Sequence, residues 1–178
     1  MAYPYPSDLL AAGHPNEVSL LRSTKPNNSI RGVYGVVAEW HVDESVRIIR
    51  GDKMQTWGAL YDEVSAAFQF PLYFGRNISA LSESLREPDQ KPVRSGRLCI
   101  IVAAELVLIK EPEEQMSWFI SCLQDARRDW TEHPPEHLEG VVPVFSTVLV
   151  PLRNEDGARD TIRQRWTSAG ALIDELWV

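Results

Sequence analysis

Apolar residues fall in two kinds of block along this chain. Some are short runs without alternation: RIIRG at 47–51, LCIIVAA at 98–104 and VVPVFSTVLVP at 141–151. A run apolar at successive positions is buried on both faces, as the strands of a parallel sheet are. The other blocks are spaced for helices. After Thr56, whose hydroxyl suits an N-cap, Trp57, Leu60, Tyr61, Val64 and Phe68 recur at i, i+3, i+4, i+7 and i+11. Pro71 ends that helix. Asn77 starts a second, shorter one that turns Ile78, Leu81 and Leu85 inward and Ser79, Ser82 and Glu83 outward, and Pro88 closes it. Pro112, Glu113 and Glu114 announce a third helix, with Met116, Phe119, Ile120, Leu123, Ala126 and Trp130 on its apolar stripe. The order strand, two helices, strand, helix, strand predicts an α/β fold: a small three-stranded parallel sheet from 47–51, 98–104 and 144–150, with helices at 57–69 and 114–131 packed on it.

The flanks read differently. Residues 1–30 carry Pro4, Pro6, Pro15 and Pro26 and predict an extended arm with a short helical turn near Glu17–Arg22. Residues 32–42 are β-rich and predict an added strand or a segment draped on the core. At the other end Ala158, Ile162, Trp166, Ala169, Ile173 and Leu176 keep helical spacing, which predicts one or two helices over 156–177, broken or kinked at Gly170. The expected division is an N-terminal arm at 1–45, a central domain at 46–151 and a C-terminal helical extension at 152–178.

Composition narrows the function. Of 178 residues 44% are hydrophobic and 24% charged, with a net charge of −7, so the chain can bury a core and is a poor ligand for nucleic acid or anionic membrane. The charge is uneven: residues 70–104 hold five basic and three acidic side chains, and 105–139 hold three basic and nine acidic. Cys99 and Cys122 sit in apolar company and are read as buried thiols. The N-terminus shows no basic region followed by an apolar one, and no stretch reaches the roughly 18 apolar residues of a membrane span, so a cytoplasmic protein is expected. The six tryptophans are read as mostly structural. His133 and His137 have a metal-pair spacing, but Pro134 and Pro135 forbid the helix it needs and no third ligand accompanies them. No phosphate-binding glycine loop or nucleophile elbow is present, and no metal or cofactor is expected.

The segment Phe70-Pro71-Leu72-Tyr73-Phe74-Gly75-Arg76-Asn77-Ile78-Ser79-Ala80-Leu81 resembles the signature of the barstar family, small α/β inhibitors of ribonucleases. The order of elements over about 46–151 agrees with it. The resemblance implies a non-enzymatic protein, an inhibitor or immunity protein, that blocks a ribonuclease or nuclease toxin with its second helix and the loop before it. Glu83 stands at the family's key aspartate and Ser79 at a second one, four residues earlier. Tyr73 matches a contacting aromatic of the loop, and Asp125 a further acidic contact on the long helix. With their neighbours Arg76 and Asn77 these form the expected partner-binding set. Independently of the resemblance, Ser79 and Glu83 are four apart on one helix and so point the same way, while Gly75 permits a tight turn and Asn77 can cap the helix. Two other readings fit the residues: a small hydrolytic enzyme using Glu39, His41 and Asp43, and an interaction module for a partner that is not a nuclease.

Overall fold

A computed structural model describes residues 18–22, 46–87, 96–133, 144–153 and 155–177. Its strands are β1 (Val18–Arg22), β2 (Val46–Arg50), β3 (Gly96–Val102), β4 (Val144–Val150) and β5 (Ile173–Trp177). Its helices are α1 (Trp57–Phe68), α2 (Ile78–Arg86), α3 (Met116–Glu132) and α4 (Asp156–Ser168). The sheet has five strands in the order β2-β3-β4-β1-β5, and every pairing is parallel.

The expected inner strands and helices form where the periodicity put them. The three-stranded sheet is corrected to five. Residues 18–22, expected near a helical turn, are a strand between β4 and β5: Val18 aligns with Thr147 on one side and Ile173 on the other. The expected helical run over 156–177 is also corrected. It ends at Ser168, where Gly170 takes φ +102 and Ala171 N–H reaches back to the Trp166 carbonyl at 2.9 Å, the turned-back stop that glycine permits. Residues 173–177 then add as a strand, so Ile173, Leu176 and Trp177 belong to the sheet and not to a helix. The strand or drape expected at 32–42, the Glu39–His41–Asp43 cluster and His137 lie outside the described residues. His133 ends α3 as its C-cap.

The four helices all contribute to one face of the sheet. That core joins Leu60 and Val64 of α1, Leu81 and Leu85 of α2, Phe119 and Leu123 of α3, and Ile162 and Trp166 of α4 to Val18, Leu20, Ile49, Ile101 and Leu149 beneath them. A second cluster, Leu21, Val46, Leu98, Ile100, Val148, Val150 and Leu176, occupies the opposite face. Alternate residues of each strand feed the two clusters, as the pleat requires. Both cysteines are buried, and burial pushes the Cys99 thiol up to about 12. No helix among the described residues is long and apolar enough to cross a membrane.

The connection from β3 to α3 is buried and held from several sides. Ala103 and Leu108 both take left-handed backbone, at φ 58 and 51, and both are buried. Helix α4 grips the segment between them: Arg165 donates to the carbonyls of Glu105 at 2.6 Å and Val107 at 3.0 Å, and Trp166 Nε1 donates to that of Ala104 at 3.2 Å. Burial lowers the Arg165 pKa. Gly51 completes the seat, since a Cβ there would lie 2.1 Å from the Ala103 carbonyl oxygen.

Candidate protein-binding site

The loop before α2 is built by its own residues. α1 stops at Gln69, in left-handed backbone at φ 58, and Phe74 N–H closes a turn on the Pro71 carbonyl at 2.9 Å. Neighbouring side chains of the turn then separate. Phe74 turns inward between Tyr61 and Phe70, with ring centroids 6.1 and 5.1 Å away. Tyr73 and Leu72 stay outside, 87% and 108% exposed, though apolar groups this large are usually covered.

The polar residues of the turn are engaged within the chain. Arg76 pairs with Asp62 of α1 and donates to the Gly58 carbonyl at 3.2 Å. Asn77 Oδ1 accepts from Ala80 N–H at 2.9 Å, capping α2, while its Nδ2 donates to the Gly75 carbonyl at 3.1 Å. Gly75 allows this closeness, for a Cβ there would lie 2.9 Å from Asn77 Nδ2.

Beyond the loop, α2 and α3 lie side by side. Trp130 Nε1 donates to the Leu85 carbonyl at 3.1 Å and fixes their far ends. Between them runs a groove of about 570 Å³, lined from α2 by Ile78, Ser79, Ser82, Glu83 and Arg86 and from α3 by Trp118, Ser121, Cys122 and Asp125. The structure therefore places Ser79, Glu83 and Asp125 along one groove, Tyr73 on the loop that leads into it, and Arg76 and Asn77 in the scaffold of that loop. Asp125 Oδ1 pairs with Arg128 at 2.6 Å. Arg86 Nε donates to the Ser82 carbonyl at 3.2 Å. Glu83 is exposed; its backbone carbonyl accepts the Glu87 N–H at 3.1 Å, and its carboxylate forms no hydrogen bond or ion pair with the described residues. The Cys122 thiol, buried between the two helices, is pushed up to about 11 by burial, with Asp125 adding to the rise and Arg86 opposing it. It is protonated and unreactive at neutral pH.

The sequence reading missed Trp118, which is 47% exposed. Its signal was position: it lies off the apolar stripe of α3, between Met116 and Phe119, where a polar residue is expected. Trp118 stacks on Trp57, with centroids 6.3 Å apart and planes at 29°. Trp57 is in turn fixed by its Nε1 bond to Gln115 at 2.6 Å and by Glu111, which accepts its backbone N–H at 3.0 Å. A line of ring contacts continues from Trp57 through Tyr61, Phe74, Phe70 and Phe68 to Phe145, so groove wall and loop share one aromatic support. Among the described residues no group of three or more His, Cys, Asp or Glu is placed to hold a metal ion.

No curated protein matches the chain. A family model does, and it spans β2, α1, α2, β3 and α3 while stopping short of β4. Covering residues 44–141, more than half of the chain, and described as Barstar (barnase inhibitor), it shows that this protein belongs to the barstar family of ribonuclease inhibitors.

Proposed function

We propose that this protein is a stoichiometric inhibitor or immunity protein for a ribonuclease or nuclease toxin, which it blocks with α2, the loop before it and the adjoining face of α3. The observation that carries the reading is the convergence of Ser79, Glu83 and Asp125 on one groove, next to a loop that holds Leu72 and Tyr73 in solvent. Exposed apolar and aromatic side chains on a well-braced turn supply contact area at little entropic cost. The Glu83 carboxylate, unpaired among the described residues, is available to a cation of the partner. The acidic chain favours encounter with a basic enzyme. Arg76 and Asn77 act as braces of the loop in this reading.

The test is RNA cleavage by a panel of small basic ribonucleases, barnase included, titrated with the purified chain. At least one enzyme is expected to lose activity linearly, reaching zero at equal concentrations. Glu83→Ala should weaken that complex by about 2–5 kcal/mol, mainly through faster dissociation, because a partner cation loses its carboxylate in a desolvated contact. Full activity of every enzyme at about 10 µM chain, a concentration at which even modest complexes form, overturns the proposal.

A further inference from the structure

We propose that the face of the sheet turned away from the four helices is the docking surface for residues 32–42 of this same chain, which cross it diagonally between β1 and β2. The docking makes that face unavailable to a partner or a second copy. The inference goes beyond the inhibitor reading and does not depend on it.

The face is shielded, and no described element shields it. Its buried cluster is made of strand residues alone, each at most 6% exposed. All four helices contribute to the other face, and so do the buried loop residues Met54, Val107, Leu108 and Ala171. A sheet covered on one side only leaves the side chains of its second face in water. The shielding is present within a single chain, so another part of that chain supplies it.

Handedness selects the part. The connections from β2 to β3, β3 to β4 and β4 to β5 all advance across the sheet in one direction and carry their helices on one face. The connection from β1 to β2 returns the opposite way, past β4 and β3. Crossovers between parallel strands are right-handed, so reversing the direction puts this crossover on the opposite face. Three strand spacings of about 4.8 Å, with a five-residue strand rising about 3.3 Å per residue, make a diagonal of roughly 22 Å. Residues 23–45 are ample for it.

The burial map follows that diagonal. The line starts where β1 ends, at Leu21 and its neighbour Val150, passes Val148 and Ile100, and finishes at Leu98 and Val46, where β2 starts. All six are buried. The corners off the line are only half-buried: Ile48 and Val102 on one side, Ser146 and Asp174 on the other. Residues 1–17, the rival occupant, join β1 at the second of these corners, away from the line, and carry Pro4, Pro6 and Pro15. Within 23–45 the large apolar residues Val33, Tyr34, Val36, Val37 and Trp40 all fall in 32–42, which is the stretch suited to an apolar face.

The test is nuclear magnetic resonance on the full-length chain with labelled methyl groups, and it needs no nuclease. The Ile100 and Val148 methyls, at the centre of the line, are expected to show through-space contacts to side chains of residues 32–42. A triple variant, Val33→Ser, Val36→Ser and Val37→Ser, should move the Ile100 and Val148 methyl resonances and leave those of Leu60 and Leu81, on the other face, in place. It should also bind an apolar dye that the parent does not, since the face is then open to water. If the variant fails to fold, the contacts in the parent still decide. Contacts from Ile100 and Val148 to residues 1–17, 88–95 or 134–143 with none to 32–42 would overturn the proposal. So would contacts that arise only between differently labelled molecules in a mixed sample, which put a second copy on the face, or a folded triple variant whose Ile100 and Val148 resonances stay where they were.

Discussion

Two segments of this molecule leave regular structure in the same way and to opposite ends. The loop from Gln69 to Asn77 and the connection from Ala103 to Leu108 each carry two non-glycine residues in left-handed backbone: Gln69 and Arg76 in the first, Ala103 and Leu108 in the second. Such residues cost about 1–2 kcal/mol each. In the connection the cost is met by surroundings. Ala103, Ala104, Val107 and Leu108 are all buried, and Arg165, Trp166, Met54 and Leu152 each bond to the segment. In the loop only the ends and Phe74 are held, and the middle is left to solvent. The difference teaches how to tell a strained segment that keeps the fold from one that presents side chains. Backbone angles are alike in both, and the destination of the side chains separates them.

Substitutions should reproduce that division, beginning with the clamp. Trp166→Ala removes the largest fully buried side chain among the described residues and a bond to the Ala104 carbonyl. Chemical denaturation should show a loss of about 3–5 kcal/mol. A loss below about 1 kcal/mol would mean that the connection keeps itself in place. Next comes the brace of the loop. Asn77→Ala deletes the α2 cap and should cost about 0.5–2 kcal/mol by the same measurement, with α2 amides exchanging faster with solvent. The smallest effect on stability belongs to the loop's tip. Tyr73→Ala should leave the unfolding free energy within about 0.5 kcal/mol of the parent, yet weaken the proposed complex with a ribonuclease measurably in surface plasmon resonance. A substantial loss of stability there would erase the contrast between the two segments.

The sequence disclosed these regions unequally. The core of the fold was legible because α1, α2 and α3 are long enough to show their period and carry Thr56, Asn77 and Pro112 as punctuation. The strands β1 and β5 were not. VSLLR and IDELW are five residues each, and apolar residues at 173 and 176 satisfy a helix as well as a strand. What makes them strands is hydrogen bonding to each other and, for β1, to β4, and no local window contains those partners. Gly170 did carry the stop that separates α4 from β5. At the candidate site, the i, i+4 spacing of Ser79 and Glu83 was readable, and family resemblance supplied Asp125. The engagement of Arg76 was hidden because Asp62 lies fourteen residues upstream, on α1. Trp118 was hidden in plain view, since a tryptophan is counted as core by default and only its place off the stripe argued otherwise.

The position of β1 has a kinetic consequence. This strand lies early in the chain, yet both its neighbours, β4 and β5, lie at the far end. Its pairing must therefore close the longest loops in the sheet, the slow step of any topology rich in distant contacts. β2, β3 and the helices α1 to α3 are local enough to assemble first, an order that would leave the free edge of β4 open until β1, and with it β5, is added. Such an order predicts an unpaired parallel edge on β4, a template for joining another copy. Association during refolding should accordingly rise with concentration, and fall when a peptide carrying the β1 sequence is supplied to cover that edge.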